Sequence, residues 1–405
     1  MGLGKTYLGS EKMIRLNVDT NLVICQKSKI EDWKKHFETH YPKSVVCDLT
    51  KTGAVDEFVS RFNAWHGYHG ADFTVGIVNY ELAWRRQDLL ELKDFTLMLD
   101  ESSLIQNPAA KQSKFVLKLG DNAANVILLS GTPTSGRYEN LWTQIHLLGW
   151  NISRKLYESQ YVNWETLQLG QNLIRIPDRK EPYKNVERLK RKLRENGAVF
   201  MKTEECFELP EQTFIEVNVQ KSSEYKKFMK NSIITLENGL ELIGDTTLTK
   251  LLYARQLCGQ YSKAKLDAFK SLVESTNDRL IVFYNFTLEL AELEAIASDL
   301  DRPFSLITGS CKRLNEYENE ENSLTFVQYQ AGAKGLNLQK ANKIVYFSPT
   351  LRCEDWMQSQ KRIHRIGQNK PCFYYKMICK GSVEEKIYST LERGVDFTER
   401  LFENG

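Results

Sequence analysis

A chain of 405 residues is too long for one ordinary core, so two domains plus connections are expected. Hydrophobic content of 41%, aromatic content of 11% and charged content of 26% exclude a disordered or fibrous chain. A formal net charge of +3 does not announce a nucleic-acid partner, so any basic groove must be local.

The first part alternates short apolar runs with amphipathic stretches. Asn21–Gln26 (NLVICQ), Phe73–Asn79 (FTVGIVN), Phe95–Asp100 (FTLMLD) and Asn125–Ser130 (NVILLS) each read as a buried strand. Ile30–His40 and Asp56–Trp65 read as helices between them, and strands alternating with helices imply a parallel sheet. From about Asn151 to Gln260 the chain becomes charged and helical in pattern, with basic clusters at Arg179–Lys180 and Lys190–Arg194 and with Pro177, Pro182 and Pro210 as punctuation. This is expected to be an insertion and linker, its basic clusters a solvated face. Five more strands follow at Arg279–Tyr284, Pro303–Ile307, Leu324–Tyr329, Lys343–Phe347 and Cys372–Ile378, and Ser382 to about Phe402 reads as a closing helix. The expected class is therefore α/β, with parallel sheets in residues 1–150 and 261–405 and a helical segment at 151–260.

The eight cysteines (Cys25, Cys47, Cys206, Cys258, Cys311, Cys353, Cys372 and Cys379) include no C-x-x-C pair, so no zinc site is expected and the thiols read as reduced. No run approaches about 18 uninterrupted apolar residues, so no membrane span or membrane partner is expected.

Five short segments carry chemistry. Met1–Thr6 (MGLGKT) supplies the second half of a G-x-x-x-x-G-K-[ST] loop, in which glycines expose backbone N–H groups to phosphate, the lysine reaches the β- and γ-phosphates, and the hydroxyl ligates magnesium. Alone, GKT is equally compatible with a chance match. In LMLDESS, Asp100 and Glu101 end a hydrophobic strand, as a magnesium-holding and a water-orienting carboxylate do; solvated acids at a strand end would look the same. Leu128–Thr134 (LLSGTPT) suits a γ-phosphate sensor or an ordinary turn. Gln330–Leu338 (QAGAKGLNL) allows close backbone approach to phosphate, or simply opens a helix. In Gln358–Gln368 (QSQKRIHRIGQ), Arg362 and Arg365 are three apart and share a face if helical, which suits either charge stabilisation on a transferring phosphoryl group or a solvated basic face; His364 reads as structural.

In this order these segments resemble superfamily-two helicases, and HRIGQ resembles the SWI/SNF branch in particular. NLVICQKSKIEDWKKHF, VGIVNYELAW, ENLWTQIHLLGW, FMKTEECFELPEQ, KLDAF with RLIVFYNF, and GSVEEKIYSTL extend the resemblance over nearly the whole chain. It implies two RecA-like lobes with ATP between them. By resemblance, Gly2, Gly4, Lys5 and Thr6 would bind ATP, with Thr6 and Asp100 on Mg2+. Glu101 would activate water, and Ser130, Gly131 and Thr132 would couple nucleotide state to DNA. Gly335 would line the lobe interface, Gln358 would contact nucleotide-side groups, and Arg362 and Arg365 would be arginine fingers. The implied partner is DNA, held by its backbone as a duplex or single strand.

The sequence departs from the family pattern in places. The upstream glutamine motif and first strand are absent, the acidic box is DESS rather than DEAH or DEGH, and Lys334 stands where a glycine or apolar residue is more usual. Brevity suggests a compact phage or bacterial version in a cytoplasm, or a nuclear one if eukaryotic, and a start codon placed too late would explain the partial loop. The leading expectation is an ATP-dependent DNA translocase or helicase; a catalytically weak DNA-binding remnant is the alternative.

Overall fold

The computed structural model describes residues 4–63, 72–169, 172–201, 203–332 and 336–402. Two compact units form, one built on residues 3–201 and the other on residues 202–396. The expected 151–260 segment is thus divided, its first part belonging to the first unit and the rest to the second.

In the first unit, β1 (Thr20–Cys25), β2 (Ser44–Asp48), β3 (Phe73–Asn79), β4 (Phe95–Asp100) and β5 (Ala123–Leu129) form a parallel sheet in the order β2-β3-β1-β4-β5. Alternation along β1 assigns its two faces. Leu22 and Ile24 join one core with Phe115 and Leu119, while Val23 and Cys25 join another with Met13, Trp33 and Phe37. Burial on both faces is why these strands read as continuous apolar runs. The helices are α1 (Lys5–Arg15), α2 (Ile30–His40), α3 (Ala54–Asn63), α4 (Tyr80–Ala83), α5 (Lys111–Asn122) and α6 (Trp142–Leu147). Strand β2 was not expected: its five residues are all only half-buried, and SVVCD is too short to stand out from the loop around it.

Gly9 lets α1 lie directly on the sheet. A Cβ there would come within 2.7 Å of Leu129 Cδ1 and 2.9 Å of Met98 Sδ, so a larger residue fits only if those side-chain ends on β4 and β5 shift.

The segment after residue 150 is not helical throughout, which corrects the expectation. β6 (Trp164–Leu169) and β7 (Asn172–Pro177) pair as an antiparallel hairpin before the helix Val186–Glu195. In the second unit, β8 (Gln212–Gln220) pairs parallel with β16 (Cys372–Lys380) over nine residues. β9 (Ile233–Thr235) and β10 (Glu241–Ile243) make a further small hairpin. QTFIEVNVQ alternates apolar and polar residues, the pattern of a strand with one wet face at a sheet edge.

The second unit's main sheet has the order β13-β12-β14-β11-β15-β16-β8, where β11 is Leu280–Tyr284, β12 is Phe304–Ile307, β13 is Lys312–Arg313, β14 is Leu324–Gln328 and β15 is Lys343–Tyr346. All pairs are parallel except β12 with β13. Ile281 and Phe283 face one core and Leu280, Val282 and Tyr284 the other. The expected strands of this half all lie here, and the closing helix runs Val383–Phe402. Among the described residues no helix is long and apolar enough to cross a membrane.

Candidate nucleotide site

The site in the first unit is built where strands end. Gly4 caps α1 in the left-handed region, with φ 67° and nothing within 4 Å of a Cβ placed there. That conformation suits glycine and points the first N–H groups of α1 outward, where the helix dipole favours an anion. Lys5 and Thr6 occupy the first turn, both half-buried. Lys5 Nζ lies 3.7 Å from Glu101 Oε1.

Asp100 is the last residue of β4, and Glu101 follows in the left-handed region with φ 52°. This sharp exit turns the two carboxylates in different directions. The indole N–H of Trp33 donates to Asp100 Oδ2 at 3.0 Å, and the Tyr80 hydroxyl donates to the Asp100 carbonyl at 2.9 Å. Burial pushes the Asp100 carboxyl above its ordinary range, and the Trp33 donor opposes that shift. Glu101 Oε2 is buried without a hydrogen-bond partner among the described residues. A buried acceptor left open beside a lysine fits a polar ligand better than a sealed core.

Ser130, Gly131 and Thr132 follow β5 directly. The Thr132 N–H donates to Ser130 Oγ at 3.1 Å, and Thr132 Oγ1 is buried with no partner among the described residues. Lys5, Thr6, Asp100 and Glu101 therefore cluster around the start of α1, which rests on β4 and β5. Thr6 and Asp100 offer hard oxygen donors, the kind magnesium prefers, so the residues fit that ion.

The second unit gathers the other candidates. Gln358 sits on the helix Cys353–Gln360, 1% exposed, and its amide donates to Glu354 Oε1 at 3.1 Å. The helix stops at Gln360, so Arg362 and Arg365 lie in the following turns and not on a shared helical face. They nevertheless converge: Arg362 Nη1 donates to the Leu336 carbonyl at 3.0 Å, and Arg365 bonds that same carbonyl and the Asn337 side chain. Burial pulls the Arg365 guanidinium below its usual range. His364 is 2% exposed and pairs with the Pro210 carbonyl at 2.9 Å, a structural role. Gly2, Lys334 and Gly335 lie outside the described residues.

The residues that sequence reasoning missed are Trp33 as a partner of Asp100 and Tyr80 as a partner of its backbone. Trp33 lies within NLVICQKSKIEDWKKHF, a segment that carries the family resemblance but no sign of this contact. Trp33→Phe keeps an aromatic side chain but removes the donor and part of the buried ring, and it is expected to lower the first unit's stability by about 1–3 kcal/mol, visible in thermal melts.

Comparison with known families decides the lineage. Residues 1–263 match the SNF2-related domain, and residues 264–367 match the helicase conserved C-terminal domain. The chain belongs to the SNF2-related family. Among its curated SNF2 relatives, YwqA of Bacillus subtilis is 24% identical over 450 residues, covering 100% of this chain and 46% of that protein. The ATP-dependent helicase fft1 of Schizosaccharomyces pombe is 23% identical, covering 96% of this chain and 48% of its own length. A mouse SWI/SNF-related, actin-dependent regulator of chromatin, subfamily A member 1, is 23% identical, covering 97% and 40%. The chain thus spans under half the length of these SNF2 relatives.

Proposed function

We propose that this chain hydrolyses ATP to drive movement along DNA, as an ATPase motor of the translocase or helicase kind. The observation that carries the reading is Lys5 at 3.7 Å from Glu101, beside Asp100, where α1 begins against the end of the sheet. Lys5 and the N–H groups of α1 bind the phosphates, and Glu101 orients the attacking water. Thr6 and Asp100 would hold magnesium, which would supply charge neutralisation on the phosphates. Ser130, Gly131 and Thr132 pass nucleotide state to the DNA-bound surface. Arg362 and Arg365 provide positive charge from the second unit, and Gln358, through Glu354, shapes the helix that precedes them. DNA is held mainly by its backbone, which needs local charge and not a high net charge.

The deciding experiment is ATP turnover with and without duplex, single-stranded and branched DNA. Stimulation by at least one DNA form supports the motor. DNA binding with no turnover above background would instead support the DNA-binding remnant.

A further inference from the structure

DESS places two hydroxyl residues directly after the acidic pair. Ser102 is 1% exposed and Gln144, on α6, is 4% exposed. The Gln144 side-chain N–H donates to the Pro133 carbonyl at 2.7 Å. A carbonyl only accepts, so it fixes which end of the amide faces it and turns Gln144 Oε1 away, needing a donor of its own. The Ser102 hydroxyl supplies it at 2.9 Å. Alanine or glycine at position 102, as in DEAH or DEGH boxes, has no such donor. Gln106, at the far end of the turn Ser102–Ile105, grips the same loop, donating to the Pro133 carbonyl at 3.1 Å and to Ser135 Oγ at 2.8 Å.

The Pro133 loop is itself bent tightly. Ser135 has φ 47°, and its N–H donates to the Thr132 carbonyl at 3.2 Å. Side chains from outside also hold it: they come from the two ends of the turn after Glu101, from α6, and from Asn140, whose amide donates to the Thr134 carbonyl at 3.0 Å.

We propose that Ser102 and Gln144 form a positioning bridge that ties the Ser130–Thr134 loop to the acidic pair, so that a change at Glu101 is passed to the loop. The proposal rests on the motor reading above for what is passed, but the bridge itself is testable without turnover. Neither residue touches the reacting groups. Removing either one leaves a buried acceptor or donor open and weakens one of the loop's anchors, the Gln106 bonds remaining.

The test compares Ser102→Ala, Gln144→Leu and the double variant. Backbone hydrogen exchange at residues 131–137 is expected to accelerate roughly tenfold or more in each single variant, while β1 and β4 stay unchanged. The double variant should exchange no faster than either single one, because both remove one bridge. In turnover assays the basal rate should persist while DNA stimulation falls roughly two- to thirtyfold. Unchanged exchange at 131–137, or single effects that add, would overturn the bridge. Faster exchange with full DNA stimulation would overturn its coupling role. Should the unaltered protein show no DNA stimulation while exchange responds as expected, the bridge stands and the motor reading falls.

Discussion

Glu101→Gln is expected to reduce ATP turnover by about 10²–10⁴-fold while ATP binding survives. The substitution keeps the size but turns one acceptor oxygen into an NH2 donor and removes the charge that, in the proposed mechanism, orients and accepts a proton from water. Lys5, 3.7 Å away, is unaltered, so if it binds the phosphates as proposed, affinity should change little. The measurement is paired: single-turnover hydrolysis for chemistry and nucleotide titration for binding. Undiminished hydrolysis would remove Glu101 from the mechanism and leave Asp100 as the sole candidate carboxylate in this cluster.

The second large effect is on stability and lies in the second unit. Lys265 and Glu384 are fully buried, and Lys265 Nζ meets both carboxylate oxygens at 2.6 and 2.7 Å and the Phe347 carbonyl at 3.0 Å. The Cys379 N–H donates to the same carboxylate at 2.9 Å. Burial pushes the Glu384 carboxyl up to about 7, while its charge raises the Lys265 ammonium above its usual pKa despite burial; the short contacts from Lys265 Nζ to both carboxylate oxygens mark a charge-assisted pair. Removing one partner strands the other charge in the core. Lys265→Met alone should cost about 3–5 kcal/mol, roughly 6–20 °C in the melting temperature of a unit this size. Adding Glu384→Gln should recover much of that loss, since the stranded charge disappears. Equal melting temperatures for single and double variants would show that the charge is not what matters. The pair joins the helix Lys263–Glu274 to the closing helix, so its loss should loosen that helix before the sheet.

What the sequence revealed follows from where burial is complete. Strands β1, β3, β4, β11 and β15 are buried on both faces, and their apolar runs located them within a residue or two. Half-buried β2 and alternating β8 carry weaker patterns and were hidden in segments read as loop and linker. Arg362 and Arg365 share a face only if helical, and a three-residue spacing says nothing about where a helix ends; here it ends at Gln360. The Lys5, Asp100 and Glu101 cluster was legible through motif order. Its supports were not: Trp33 and Asp100 are 67 residues apart, Ser102 and Gln144 are 42, and Lys265 and Glu384 are 119. Such pairings are set by sheet order and helix packing, which no local pattern encodes.

The left-handed backbone of Glu101 sets the protein's durability against its chemistry. A glutamate held at φ 52° stores about 1–3 kcal/mol that glycine would release at once. Selection for heat resistance alone would therefore favour glycine at position 101 and, if Glu101 has the proposed role, yield a sturdier molecule without turnover. On the proposed role of Glu101, the carboxylate there exchanges endurance for reactivity.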